Sequence, residues 1–205
     1  MTAYYVRCIL FGALVLGLPS FATLAQAQVD VPPVPTDIQV PAGVSAFLVG
    51  HAIGTQNFIC LAPKKERELA WRFTGPQATL FLTLPNGQPQ QVTTHFLSAN
   101  PDENGVLRPT WQHSADTSAV WGRVKVPSTD PAYVEAGAIP WLLLEVVGEQ
   151  EGPSGGDFMT DAVFIHRLNT TGGLAPSTGC SEAADIGAVR LVPYTADYFF
   201  YRADQ

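Results

Sequence analysis

Charge is scarce in this sequence. Only 14% of its 205 residues are Asp, Glu, Lys or Arg, and 11 basic residues stand against 18 acidic ones. The shortage of Lys and Arg excludes a nucleic-acid groove, which needs clustered cations against phosphate. Helix signals are few, and 18 Gly and 17 Pro punctuate the chain too often for a helical bundle. Cysteine is rare as well. There are three, and neither Cys60 nor Cys180 has a second Cys or His within two to five residues, the spacing of a zinc site. Beyond the first thirty residues no apolar run approaches the ~20 residues of a spanning helix. A hydrophobic content of 46% excludes disorder, and the length suits one domain.

What is present begins with an export signal. Arg7 is the only charged side chain before Asp30. An apolar run from Cys8 to Leu18 follows, then Pro19 and an Ala25-Gln26-Ala27 cleavage site. A basic n-region, an apolar h-region and an A-x-A site make a secretory signal peptide over residues 1–27. A retained anchor would need a longer run, and Pro19 interrupts this one. The expected location is secreted or periplasmic, with a soluble mature chain from Gln28. Cleavage removes Cys8 and leaves Cys60 and Cys180, which in an oxidising compartment are expected to pair; two free buried thiols are the alternative.

Residues 28–43 carry Pro32, Pro33, Pro35 and Pro41 and read as an extended lead. Residues 44–205 read as a single β domain. Phe47, Val49, His51 and Ile53 share one face of a first strand, and Thr55 to Cys60 reads as a second. Leu80, Leu82 and Leu84 alternate along a half-buried strand that ends at Pro85-Asn86-Gly87, a hairpin signal. Ile139 to Val147 is an almost continuous apolar run, as in a strand buried on both faces. In the C-terminal cluster, alternation puts Tyr198 and Phe200 on one side and Phe199 and Tyr201 on the other. Short helical turns are expected after Asp130-Pro131 and over Lys64 to Glu68. The fold class is therefore all-β: a single β-sandwich or flattened barrel of about eight to ten strands with one or two short helical turns.

Four segments in order carry a family resemblance. They are Gly50 to Cys60, Ala138 to Leu144, Arg167 to Pro176 with Cys180, and Tyr194 to Tyr201. The chain resembles the family of domain of unknown function 3455, exported proteins of bacteria and fungi, over roughly Val40 to Tyr201. Members commonly keep the cysteines that match Cys60 and Cys180, so the resemblance implies that these two are bonded. It implies no catalytic residues and no cofactor. Some fungal relatives carry a dehydrogenase label, yet this sequence has no G-x-G-x-x-G and no alternation of strands and helices.

Candidate chemistry is thin. Gly152-Pro153-Ser154-Gly155-Gly156 matches the nucleophile-elbow pattern but lacks its strand-turn-helix context, so it reads as a Gly-rich loop. His51, His95, His113 and His166 have no metal-ligand spacing; His51 and His166 read as core histidines, and no metal is expected. Asp157 and Asp161, with Glu145, read as solvated strand ends. The remaining candidate is a hairpin. With its turn centred near Asp116, Trp111 and Trp121 would be cross-strand partners on one face with Arg123 and Lys125. That face would form a shallow carbohydrate-type strip of Trp111 and Trp121, edged by His113 and Arg123.

Two functions are open at this point. One is a non-catalytic module that binds a ligand, a carbohydrate or an envelope component. The other is a hydrolase acting on an envelope carbohydrate or ester. A cleft holding two or more of His51, His95, His113, His166, Asp157 and Asp161 would favour the enzyme.

Overall fold

The computed structural model of the protein describes residues 29–62 and 68–204. The signal segment 1–27 lies outside the described residues, and so does most of the turn expected at 64–68. Eight antiparallel strands run in sequence order around a closed barrel. They are β1 (Val44–Leu61), β2 (Ala70–Thr83), β3 (Pro89–Asn100), β4 (Val106–His113), β5 (Ala119–Ser128), β6 (Trp141–Gln150), β7 (Phe164–Gly172) and β8 (Val189–Ala203). Each pairs with its neighbour, and β8 returns to pair with β1 from Val44↔Ala203 to Ile59↔Val189. The architecture is thus a barrel rather than a sandwich. Closure leaves no free sheet edge among the described residues.

The two strands expected between Phe47 and Cys60 are one strand, β1. Gly54 does not break it. A Cβ there would lie 2.2 Å from the Gln77 carbonyl oxygen and 2.5 Å from the Ala78 Cα, so glycine is what lets β1 and β2 come together. The face of β1 that turns inward carries Leu48, Gly50, Ala52 and Gly54, not Val49, His51 and Ile53; Phe47, at a bulge between Ala46 and Leu48, packs against the inner core from the barrel's end. These small residues leave room for the large inward side chains opposite, Trp111, Tyr194, Tyr198 and Phe200. A small barrel fills its interior by such pairing of small with large.

A second apolar layer lies outside the wall. Ile38 and the partly buried Val29, Val31, Val34 and Val40 of the Pro-rich lead pack with Trp141, Leu143, Leu168, Phe199 and Tyr201. The lead covers the outer surface of β6, β7 and β8, which is why β6 reads as apolar on both faces. His166 sits beneath it. Its Nε2–H donates to the Ile38 carbonyl at 2.6 Å and its Nδ1 accepts from the Tyr201 hydroxyl at 2.8 Å. Burial lowers its pKa.

The Asp130 segment makes a hydrogen-bonded turn rather than a helix, with Tyr133 and Val134 N–H groups donating to the Asp130 carbonyl. Short 3-10 turns occur instead at Thr36–Ile38, Pro101–Glu103 and Ala183–Asp185. Cys60, near the end of β1, is bonded to Cys180 in the β7–β8 connection, across 120 residues. Cys60 and the same connection also exchange backbone hydrogen bonds through Gly187 and Ala188.

Candidate functional site

The two ends of the barrel are built differently. The β6–β7 connection folds over one end and inserts Met159 and Ala162 into the core. Asp116, in the β4–β5 turn, holds that connection in place. Its carboxylate accepts from the Phe158 N–H (3.0 Å), the Ser118 N–H (3.0 Å) and hydroxyl (2.7 Å), and His113 Nδ1–H (2.8 Å). Burial alone would raise the pKa of Asp116. The hydrogen bonds outweigh it and hold the carboxyl far below its usual range. Phe158 stacks on His113 at 4.5 Å, and the end is closed.

The opposite end holds a cavity of about 110 Å³. Its lining comes from all eight strands. His95 from β3, Trp111 from β4 and Tyr198 from β8 form an aromatic floor, with centroid separations of 4.3, 5.0 and 5.4 Å. Leu142 and Leu144 line one side. Phe73 and Val124, 51% and 45% exposed, stand at the mouth with Pro76 and Pro109. Apolar side chains this exposed at a rim mark an entrance rather than a packed lid.

Five polar side chains line this space, Tyr198 among them with its hydroxyl 3.3 Å from that of Tyr194. His95 Nδ1–H donates to the Thr110 carbonyl at 2.9 Å, which fixes the tautomer and leaves Nε2 as an acceptor. Burial, with a smaller push from the Arg167 charge, lowers its pKa to about 3, so the ring is neutral. Arg167 is then the only charged group in the lining. The Pro140 carbonyl anchors it, accepting from Nε (3.2 Å) and Nη2 (2.8 Å). No carboxylate lies within 4 Å of its guanidinium among the described residues. Gln56 Nε2 and Trp111 Nε1 are buried donors with no hydrogen-bond partner. The Gln56 amide lies beside the Tyr194 hydroxyl and acts on it, though Nε2 makes no well-formed hydrogen bond. Buried donors are nearly always satisfied; two without a partner line this cavity, and Trp141 Nε1 lies outside it.

A larger recess of about 820 Å³ lies between the N-terminal lead and the outer wall. Its buried polar groups, His166 and Tyr201, already bond each other, so it offers no unmet bond.

The tryptophan strip is not formed. The hairpin register pairs Trp111 with Val120 and Trp121 with Thr110. The turn is centred half a residue earlier than expected, and a one-residue slip reverses the faces. Trp111 points into the barrel, 1% exposed. Trp121 lies on the outer side, 5% exposed, with Nε1–H donating to the Ser98 hydroxyl at 2.8 Å. His113 belongs to the closed end. Arg123 is ion-paired on the outer wall to Glu145 at 2.6 Å. Of the proposed strip only Trp111 reaches the cavity.

The four histidines occupy separate places. His51 is not a core residue: it stands on the outer wall and pairs with Asp197 at 2.6 Å. His95 lines the cavity, His113 the closed end, and His166 lies under the lead. Asp157, Asp161 and Ser154 are exposed on the β6–β7 connection. Gln56 and Arg167 were missed by sequence reasoning. A usable signal existed in β1, where a polar Gln56 continues the inward phase of Gly50, Ala52 and Gly54.

A family model described as protein of unknown function (DUF3455) matches residues 41–202, most of the chain. No curated protein and no solved structure matches it.

Proposed function

We propose that this chain, which belongs to the DUF3455 family of proteins of unknown function, is an exported protein that binds a small organic molecule inside its barrel without transforming it. The observation that carries this reading is the pair of unpartnered buried donors, Gln56 Nε2 and Trp111 Nε1, on a cavity that opens between exposed apolar side chains. Export rests on the n-region, h-region and A-x-A site of residues 1–27.

The lining supports binding over hydrolysis. It contains no Ser, Thr, Cys, Asp or Glu, and of the six residues that would mark an enzyme only His95 is there. That imidazole is neutral, with its Nδ1–H committed to a carbonyl. The cavity size also argues against a sugar. A cavity of about 150 Å³ suits benzene, with six heavy atoms, and a pyranose with its hydroxyls has about twice as many.

The test is a panel of small acids, alcohols, amides and phenols, followed by tryptophan fluorescence and melting temperature. At least one compound is expected to give a saturable change. The change is expected to vanish in Val124→Trp, which fills the mouth from an exposed position and should melt like the wild type. No response to any compound would overturn the reading. N-terminal sequencing of exported protein is expected to begin at Gln28.

A further inference from the structure

Resting on that reading, we infer that the molecule held in the cavity is a small carboxylate, its anionic head against Arg167 and its apolar body reaching toward Phe73 and Val124. A half-buried guanidinium without a counter-charge is electrostatically incomplete, because burial weakens its hydration and the neutral oxygens of Pro140 and Tyr198 replace only part of the lost stabilisation. Two other arginines have found acids. Arg108 is bonded twice to Glu103 at 2.7 Å, and Arg123 meets Glu145. Arg167 alone among these three faces a cavity instead of an acid.

Its orientation is prepared in advance. The Pro140 carbonyl engages Nε and Nη2 and the Tyr198 hydroxyl lies beside the guanidinium, so its plane is fixed, and none of these partners carries a charge. Carboxylate oxygens accept from such a fork more strongly than neutral oxygens do. Gln56 Nε2 and Trp111 Nε1 are further donors on the same space, with no acceptor supplied by the protein. A carboxylate brings about four acceptor sites and a full negative charge to these donors; an alcohol can give its O–H to His95 Nε2 but offers Arg167 no counter-charge.

Size sets the rest of the molecule. About 110 Å³ is below the 150 Å³ that takes benzene, so about four or five heavy atoms fit inside. A carboxyl group and one or two further carbons fill it. Further carbons must pass between Pro76, Pro109, Phe73 and Val124, all of which offer apolar surface.

The experiment compares matched acids and alcohols at pH 7: butyrate with butan-1-ol, hexanoate with hexan-1-ol, and benzoate with benzyl alcohol. Binding is followed by tryptophan fluorescence and calorimetry. At least one acid is expected to bind tenfold or more tightly than its alcohol. In Arg167→Gln the preference is expected to fall below threefold. Should Arg167→Gln fail to fold, Gln56→Leu serves: the acid is expected to weaken about fivefold, with the melting temperature equal or higher, because a buried unmet donor has been removed. Alcohols binding as tightly as their acids would overturn the carboxylate inference and leave the binding reading standing. The inference also falls if none of the three acids binds. The binding reading itself falls only if the whole wider panel is silent.

Discussion

The imidazole of His95 lies parallel to the indole of Trp111, with 9° between the planes and 4.3 Å between centroids. The stack holds a histidine whose burial depresses its pKa to about 3, against about 6.5 in an unfolded chain. Between those values the unfolded state binds more protons, so stability rises with pH across the window and is lost as pH falls from 6.5 toward 3. The slope for one such group reaches about 1.4 kcal/mol per pH unit. His166 is shifted in the same direction and adds to it. Urea unfolding at pH 7.0, 5.5 and 4.5 should show the decline. His95→Gln, which keeps a donor for Thr110, should flatten it. Asp116 contributes only at lower pH, since its stabilisation is lost as its carboxyl protonates below about 4.

Asp116→Ala is expected to open the closed end. The substitution removes one acceptor from four donors and leaves the Phe158 N–H and the Ser118 groups without it. The cost is about 2–3 kcal/mol. Amide exchange in residues 151–163 should accelerate while the β1–β8 ladder stays protected. Equal exchange in both proteins would show that the connection is held by Met159 and Phe158 alone.

Ile38→Ala tests the N-terminal lead. Ile38 is fully buried against the outer wall, and its carbonyl serves His166. The loss of packing is worth about 2–4 kcal/mol in chemical denaturation. Cavity binding should be unaffected, because the lead touches the outside of β6–β8 and not the mouth.

Removing the disulfide with Cys60→Ser and Cys180→Ser together should lower the denaturation midpoint. The chain-entropy argument gives about 4–5 kcal/mol for a loop of this length, an upper figure for real proteins. Protease sensitivity should rise in residues 173–188, which the bond ties to the end of β1. Intact mass with and without reduction should differ by two hydrogens in the unmodified protein.

The strands were legible where a local pattern decides them. The Asn86-Gly87 hairpin, the doubly buried β6 and the split of Tyr198 and Phe200 from Phe199 and Tyr201 all follow from turn chemistry and period two. The faces of Trp111 and Trp121 were not, since they depend on half a residue in the turn. His51 was misplaced for a related reason. Its neighbour Val49 is partly covered from outside by the second apolar layer, and Phe47 packs at the closed end of the barrel, so an apolar face did not mean the inner one. The cavity was the least legible part. Gln56, His95, Trp111, Arg167 and Tyr198 come from five strands and meet only because β8 closes on β1.

That closure also sets the order of assembly. Seven of the eight strand pairings join neighbours in sequence and can form as hairpins, but the β1–β8 ladder joins Val44 to Ala203 and waits for the whole chain. Until then β1, with 18 residues the longest strand, presents an open edge along its entire length. The last strand to be synthesised is therefore the one that both seals the edge and delivers Tyr194 and Tyr198 to the interior. Ring closure of this kind is slow compared with hairpin formation, because the loop entropy is lost before the ladder compensates for it. The unsealed barrel is the state in which this protein is most prone to pair with other chains.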